Sequence, residues 1–220
     1  MFRMDGAVII LIGEGKSGKT TLALDFCDNI AMMEMFNHKA PKYHKAILVT
    51  PQESNPRFVM PPPHGEFDFI VDHGQSFKDA YKRASGHLRI IVNEERADLF
   101  KRLEDYPIVL LDELTLLISE NESEKAFKKF CRNVRSREQT IIITTHRLLD
   151  DLPPVVRGEL CRKLIQVGPV RDRQKQRVLY NHGNIAGAIG FESFCQSMER
   201  LEPYNYQRKN KNGWYIVKDS

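Results

Sequence analysis

Gly13, Gly18, Lys19 and Thr20 stand in the spacing G-x-x-x-x-G-K-T within Gly13-Glu14-Gly15-Lys16-Ser17-Gly18-Lys19-Thr20-Thr21. These residue types at this spacing suit a polyphosphate. Glycines let a short loop curl with no side chains in the way, so that several backbone N–H groups point at one anion. A helix beginning near Gly18 adds its positive end, Lys19 reaches the β and γ phosphates as a point charge, and the Thr20 hydroxyl is placed to ligate magnesium. The expected ligands are ATP and Mg2+, with residues 13 to 21 as the binding loop.

A second chemistry-bearing stretch is Asp112-Glu113, which ends the apolar run Pro107-Ile108-Val109-Leu110-Leu111. Parallel strands bring their C-terminal ends to one edge of a sheet, so Asp112 is expected to face the metal beside Thr20 while Glu113 reaches the attacking water. Two roles need two acids. Asp112 holds a metal-bound water and remains ionised, whereas Glu113 orients or deprotonates the nucleophilic water. A third apolar run, Thr140 to Thr144, leads into Thr145 and His146, polar groups placed to sense the γ phosphate or simply to cap the next segment.

The elements that must carry these groups alternate between strand and helix. Apolar runs at Ala7–Ile12, Ala46–Thr50, Phe67–Asp72, Leu88–Asn93 and Arg162–Val167 join the two above as strands, and helices are expected at 21–33, 76–84, 94–104, 124–134 and 191–201. This predicts an α/β fold, a mainly parallel sheet with helices on both faces. Residues 51–66 hold five of the eleven prolines and predict an exposed loop. At 220 residues and 41% hydrophobic, the chain forms one substantial core: residues 1–168 as the core domain and 169–220 as an appendage packed on it.

Composition excludes several classes. Cys27, Cys131, Cys161 and Cys195 contain no C-x-x-C pair, against a zinc ribbon and against a small disulfide scaffold. No run approaches the ~18 apolar residues of a membrane span. The formal charge of +4 is mild, so nucleic-acid binding must rest on where charge clusters. One cluster is Lys125, Lys128, Lys129, Arg132 and Arg135, on a helix face that is otherwise read as solvated. The other is Arg171, Arg173, Lys175 and Arg177, which alternate with Asp172, Gln174 and Gln176. An extended β-ribbon there puts all four cations on one face, able to track a phosphate backbone, with a solvated hairpin tip as the plain alternative. Trp214 to Val217 either adds an edge strand or docks on a neighbouring subunit.

The order of these parts resembles the additional-strand, catalytic-glutamate class of P-loop ATPases and, within it, the FtsK/HerA superfamily of DNA pumps. In that superfamily a phosphate loop precedes a strand ending Asp-Glu, and an arginine precedes an apolar strand that ends in a polar sensor. Arg135, Ile141-Ile142-Ile143 and Thr144-Thr145-His146-Arg147 fit the order, which continues through Pro153-Pro154 to the last apolar strand. The likeness covers most of residues 6–168, loosely over 51–106. The sensor is more usually Gln or Asn, so it stays open whether Thr145 or His146 makes the contact. Without the membrane segments of cellular segregation motors or the barrel of archaeal helicases, the chain looks like the genome-packaging ATPases of icosahedral viruses with an internal membrane. The resemblance implies a RecA-like fold and ATP hydrolysis coupled to movement of double-stranded DNA. It further implies a homo-oligomeric ring, pentamer or hexamer, at a capsid vertex or membrane protein, in the host cytoplasm or the virion. It assigns Arg135 as a finger acting in trans, with Arg137 and Arg162 as competitors. Other readings are a P-loop nucleoside or nucleotide kinase, disfavoured by the missing C-x-x-C ligands of the thymidine kinase type, and a Zot-like phage morphogenesis protein, disfavoured by the missing transmembrane segment.

Overall fold

Strict alternation of buried residues along the apolar runs divides the core between two faces of one sheet. The computed structural model describes residues 6–36, 46–50, 69–72, 76–84, 87–92, 97–118, 121–183, 185, 188–205 and 208–219. Its strands are β1 (Ala7–Ile12), β2 (Ile47–Thr50), β3 (Phe69–Asp72), β4 (Leu88–Ile91), β5 (Ile108–Leu111), β6 (Thr140–Thr145), β7 (Cys161–Val167) and β8 (Trp214–Asp219), in the spatial order β3-β4-β2-β5-β6-β1-β7-β8. The first seven are parallel, and β8 pairs antiparallel with β7. On one side Val8, Ile10, Val109, Leu111, Ile141 and Ile143 share a core; on the other Ile9, Leu11, Ile108, Leu110 and Ile142 share a second. A sheet covered on both faces explains why β1, β5 and the Ile141–Ile143 stretch of β6 read as unbroken apolar runs.

Helices cover both sides. Helix α1 (Lys19–Phe36) packs Leu22, Ala23 and Leu24 into the second core. The first core receives α2 (Phe77–Arg83), α3 (Ala97–Arg102), α4 (Asn121–Arg132), α5 (Leu148–Asp151), α6 (Arg173–Gly183) and α7 (Phe191–Glu199). Helix α4 supplies Phe127 and Phe130 and α3 supplies Phe100, whose rings stack at centroid distances of 5.4 and 5.8 Å.

Two features differ from, or decide, the sequence expectation. The β-ribbon with alternating cations is helix α6. The Asp172 carboxylate accepts the backbone N–H groups of Gln174 (2.8 Å) and Lys175 (3.0 Å), an N-cap that starts a helix, and it is held below the ordinary carboxylate range by those bonds. Gln176, Leu179 and Tyr180 then turn inward at helical spacing, so the cations do not share a strand face. The segment from Trp214 is an edge strand of the sheet, with Val167 opposite Trp214. The expected proline loop 51–66 lies outside the described residues. No helix among the described residues is long and apolar enough to cross a membrane.

Candidate functional site

Strand β1 delivers Gly13 to the C-terminal edge of the sheet between β6 and β7, where the loop to α1 begins. Two glycines are sterically required there. A Cβ on Gly13 would sit 2.3 Å from the Val167 carbonyl oxygen. Gly18, at φ +90°, would place one 2.4 Å from the Tyr204 carbonyl oxygen. Tyr204 crosses the loop, donating its N–H to the Ser17 carbonyl (2.8 Å) and its hydroxyl to Asp25 on α1 (2.7 Å). Lys19 is buried with its Nζ 2.9 Å from the carbonyl oxygens of both Gly13 and Glu14 and 3.3 Å from His146 Nδ1. Burial pulls its pKa down, against the opposing pull of Asp112, Glu113 and Glu14. Around it lies a cavity of about 430 Å³ lined by Gly15 to Thr21, Glu113, Thr144, His146 and Tyr204.

Next to Lys19, strand register assembles a row of oxygens. Leu110 pairs with Ile142 and with Leu48, so the following positions on the same face, Asp112, Thr144 and Thr50, come level at three adjacent strand ends. Asp112 Oδ1 accepts hydroxyl bonds from Thr20 on α1 and from Thr144, both 2.8 Å, and Oδ2 accepts one from Thr50 at 3.3 Å. Burial raises the Asp112 pKa, while the Thr144, Thr20 and Thr50 hydroxyls work against that rise. Thr20 and Asp112 thus present hard oxygen donors side by side. No cluster of three or more His, Cys, Asp or Glu able to hold a metal occurs among the described residues. This donor set fits a magnesium ion that takes its remaining ligands from phosphates and water, and does not fit a zinc cage.

Glu113 follows in the left-handed conformation (φ 53°, ψ 56°), its N–H donated to Thr144 Oγ1 at 2.9 Å. On the opposite face of β6, the Thr145 hydroxyl donates to Asp151 Oδ2 (2.5 Å), which also accepts the N–H of His146 and Arg147. Thr145 is therefore occupied in holding α5, and the side chain that reaches Lys19 is His146. Thr50, Thr144, Asp151 and Tyr204 received no role from sequence reasoning. Thr50 and Thr144 close the apolar runs of β2 and β6, but what joins them to Asp112 is the register between strands, which no single segment displays.

Arg135 is exposed in the turn before β6, its Cα against Gly6 at the start of β1. That is the sheet edge away from the phosphate loop, six residues at ~3.3 Å each, or roughly 20 Å, from the Lys19 and Glu113 end of the sheet. Arg137 lies over the Phe130 ring, donates to the Phe130 carbonyl (2.5 Å) and pairs with Glu104 at 3.2 Å. Arg162 is half-buried at the start of β7. Among the four C-terminal cations, Lys175 pairs with Glu14 of the phosphate loop (3.0 Å), Arg173 with Glu192 (3.1 Å), and Arg177 stacks 3.5 Å from the Phe191 ring centre. Arg171 is exposed just before α6.

β6 separates β5 from β1, so the additional strand stands between the acidic strand and the phosphate-loop strand. The model for the ATPase family associated with various cellular activities (AAA) matches residues 9–169. Among solved structures, the chain is similar over 99% of its length, and 99% of theirs, to B204, the DNA-packaging ATPase from Sulfolobus Turreted Icosahedral Virus (TM-score 0.55, 15% identity). It is also similar to the KaiC-like protein PH0186 from Pyrococcus horikoshii OT3 (TM-score 0.45, 17% identity, 74% and 71% covered). A third is the flagellar accessory protein FlaH from Methanocaldococcus jannaschii (TM-score 0.45, 18% identity, 76% and 73% covered). No curated protein sequence matches. A phosphate loop over an additional-strand sheet, together with a family match spanning both acidic residues, makes the chain an ATP-hydrolysing member of the AAA family.

Proposed function

We propose that this ATPase is a ring-forming motor that moves double-stranded DNA, as in viral genome packaging. Within one subunit Lys19 and the loop N–H groups hold the β and γ phosphates, and Thr20 and Asp112 hold magnesium, which neutralises charge on the phosphates when bound. Glu113 takes the proton of the attacking water, and His146, beside Lys19, reports the γ phosphate. The observation that carries the ring is the position of Arg135. It stands exposed at the far edge of the sheet, roughly 20 Å from its own site, too far to act on its own nucleotide and open to a neighbour's.

The DNA reading is supported by the Lys175–Glu14 pair, which links the cationic helix α6 to the phosphate loop, so that phosphate-backbone contacts at Arg171, Arg173, Lys175 and Arg177 would act on the site. The full-length fold likeness to a viral DNA-packaging ATPase agrees with it. The test is ATP turnover with double-stranded DNA or with nucleosides added. Stimulation by DNA, with inorganic phosphate as the product, is expected; transfer of phosphate to a nucleoside with no DNA effect would replace the motor by a kinase.

A further inference from the structure

Thr144 is wholly buried, and its one hydroxyl joins the two acids of the site. It gives its proton to Asp112 Oδ1 at 2.8 Å and accepts the Glu113 N–H at 2.9 Å, so its donor and one lone pair are both in use at good geometry. The peptide it holds is the one that needs holding. Glu113 has a left-handed backbone, which L side chains rarely adopt and which persists only where surrounding contacts fix it. That turn sends the Glu113 side chain into the cavity shared with Lys19 and His146. Thr20 already donates to the same Oδ1, so losing Thr144 leaves Asp112 with a partner there while Glu113 N–H loses its acceptor.

We infer that Thr144 is a positioning residue for hydrolysis: through its hydroxyl, strand β6 fixes the left-handed turn that aims Glu113 at the attacking water, in register with Asp112. The inference rests on the reading of Glu113 as the base. It assigns to the strand between the two nucleotide motifs a role separate from sensing, since Thr145 and His146 use the opposite face and the loop beyond.

The test compares Thr144→Val, which keeps the volume and removes both bonds, with Thr144→Ser, which keeps the hydroxyl. Single-turnover hydrolysis, kcat, KM and equilibrium binding of a fluorescent ATP analogue are measured on full-length protein. Thr144→Val should lower kcat about ten- to a hundredfold with ATP affinity within about twofold, because misplacement of a catalytic group acts on the chemical step. Thr144→Ser should stay within about threefold of the unmodified protein on the same reasoning. In a Glu113→Gln background, Thr144→Val should remove less than about a further twofold, since residues acting as a unit are not additive. Should Thr144→Val fail to fold, Thr144→Ala replaces it with the same expectations. Unchanged kcat in Thr144→Val, equal losses in Val and Ser, or a full additional loss in the Glu113→Gln background would overturn the role of Thr144. Turnover by Glu113→Gln at the unmodified rate would instead overturn the base assignment beneath it.

Discussion

The Lys175 ammonium lies 3.0 Å from the Glu14 carboxylate, which joins helix α6 to the phosphate loop. Both side chains are more than half exposed, so the pair contributes about 0.5 kcal/mol or less to stability. Its position matters more than its strength. Neutralising Arg171, Arg173, Lys175 and Arg177 together should leave the unfolding midpoint within a few degrees and flatten the dependence of DNA affinity on salt. Each lost phosphate contact lowers the log–log slope by about 0.9. A filter-binding series from low to moderate salt checks this. An unchanged slope would move the contact to the cationic face of α4.

Lys19 and Glu113 line one cavity but should fail in different ways. Lys19→Ala removes the buried ammonium beside the loop carbonyls and should abolish tight ATP binding. Glu113→Gln should bind ATP at near-normal affinity and stop turnover by about a hundredfold or more, because only the action on water is lost. Equilibrium binding and phosphate release, measured side by side, separate the two. Equal loss of binding in both would remove the distinction.

Asp112 carries a cost in the nucleotide-free protein. Its pKa is raised by burial, so the folded state holds its proton more tightly than the unfolded chain does. Stability therefore falls as pH rises through the interval between the ordinary carboxylate value and the raised one, and the penalty persists above it. Asp112→Asn should consequently raise the thermal midpoint near pH 7 by about 2–4 °C per kcal/mol recovered, with a smaller gain near pH 4. Turnover and its magnesium dependence should be lost in the same variant. Calorimetry at the two pH values gives the sign, and a larger gain at the lower pH would contradict it.

How much was legible varied with how local the determining contact is. The strands β1, β5 and β6 were readable because each is an apolar run buried on both faces, and the phosphate loop because Gly13 and Gly18 answer contacts that no side chain allows. Helix α6 was misread because Arg171 to Arg177 alternates like a strand, while Asp172 capping and a buried Gln176 set a helical period that charge alternation hides. Thr144 and Thr50 were passed over for a different reason. Their function depends on the register of β2, β5 and β6, segments far apart in the chain, and spacing along one segment carries no trace of it. Thr145 was an eligible sensor until its partner Asp151, six residues on, was visible.

The measurement that bears most directly on the shared site is a mixing experiment between Arg135→Ala and Glu113→Gln proteins. Each alone should bind ATP and assemble yet hydrolyse at least about a hundredfold slower than the unmodified protein, as expected where a trans arginine stabilises phosphoryl transfer. In mixed rings, a boundary formed by the Glu113 site of one variant and the Arg135 of the other is intact, so combining the two inactive proteins should restore phosphate release. Full turnover by demonstrably monomeric protein, or no recovery in rings shown to contain both variants, would contradict the account.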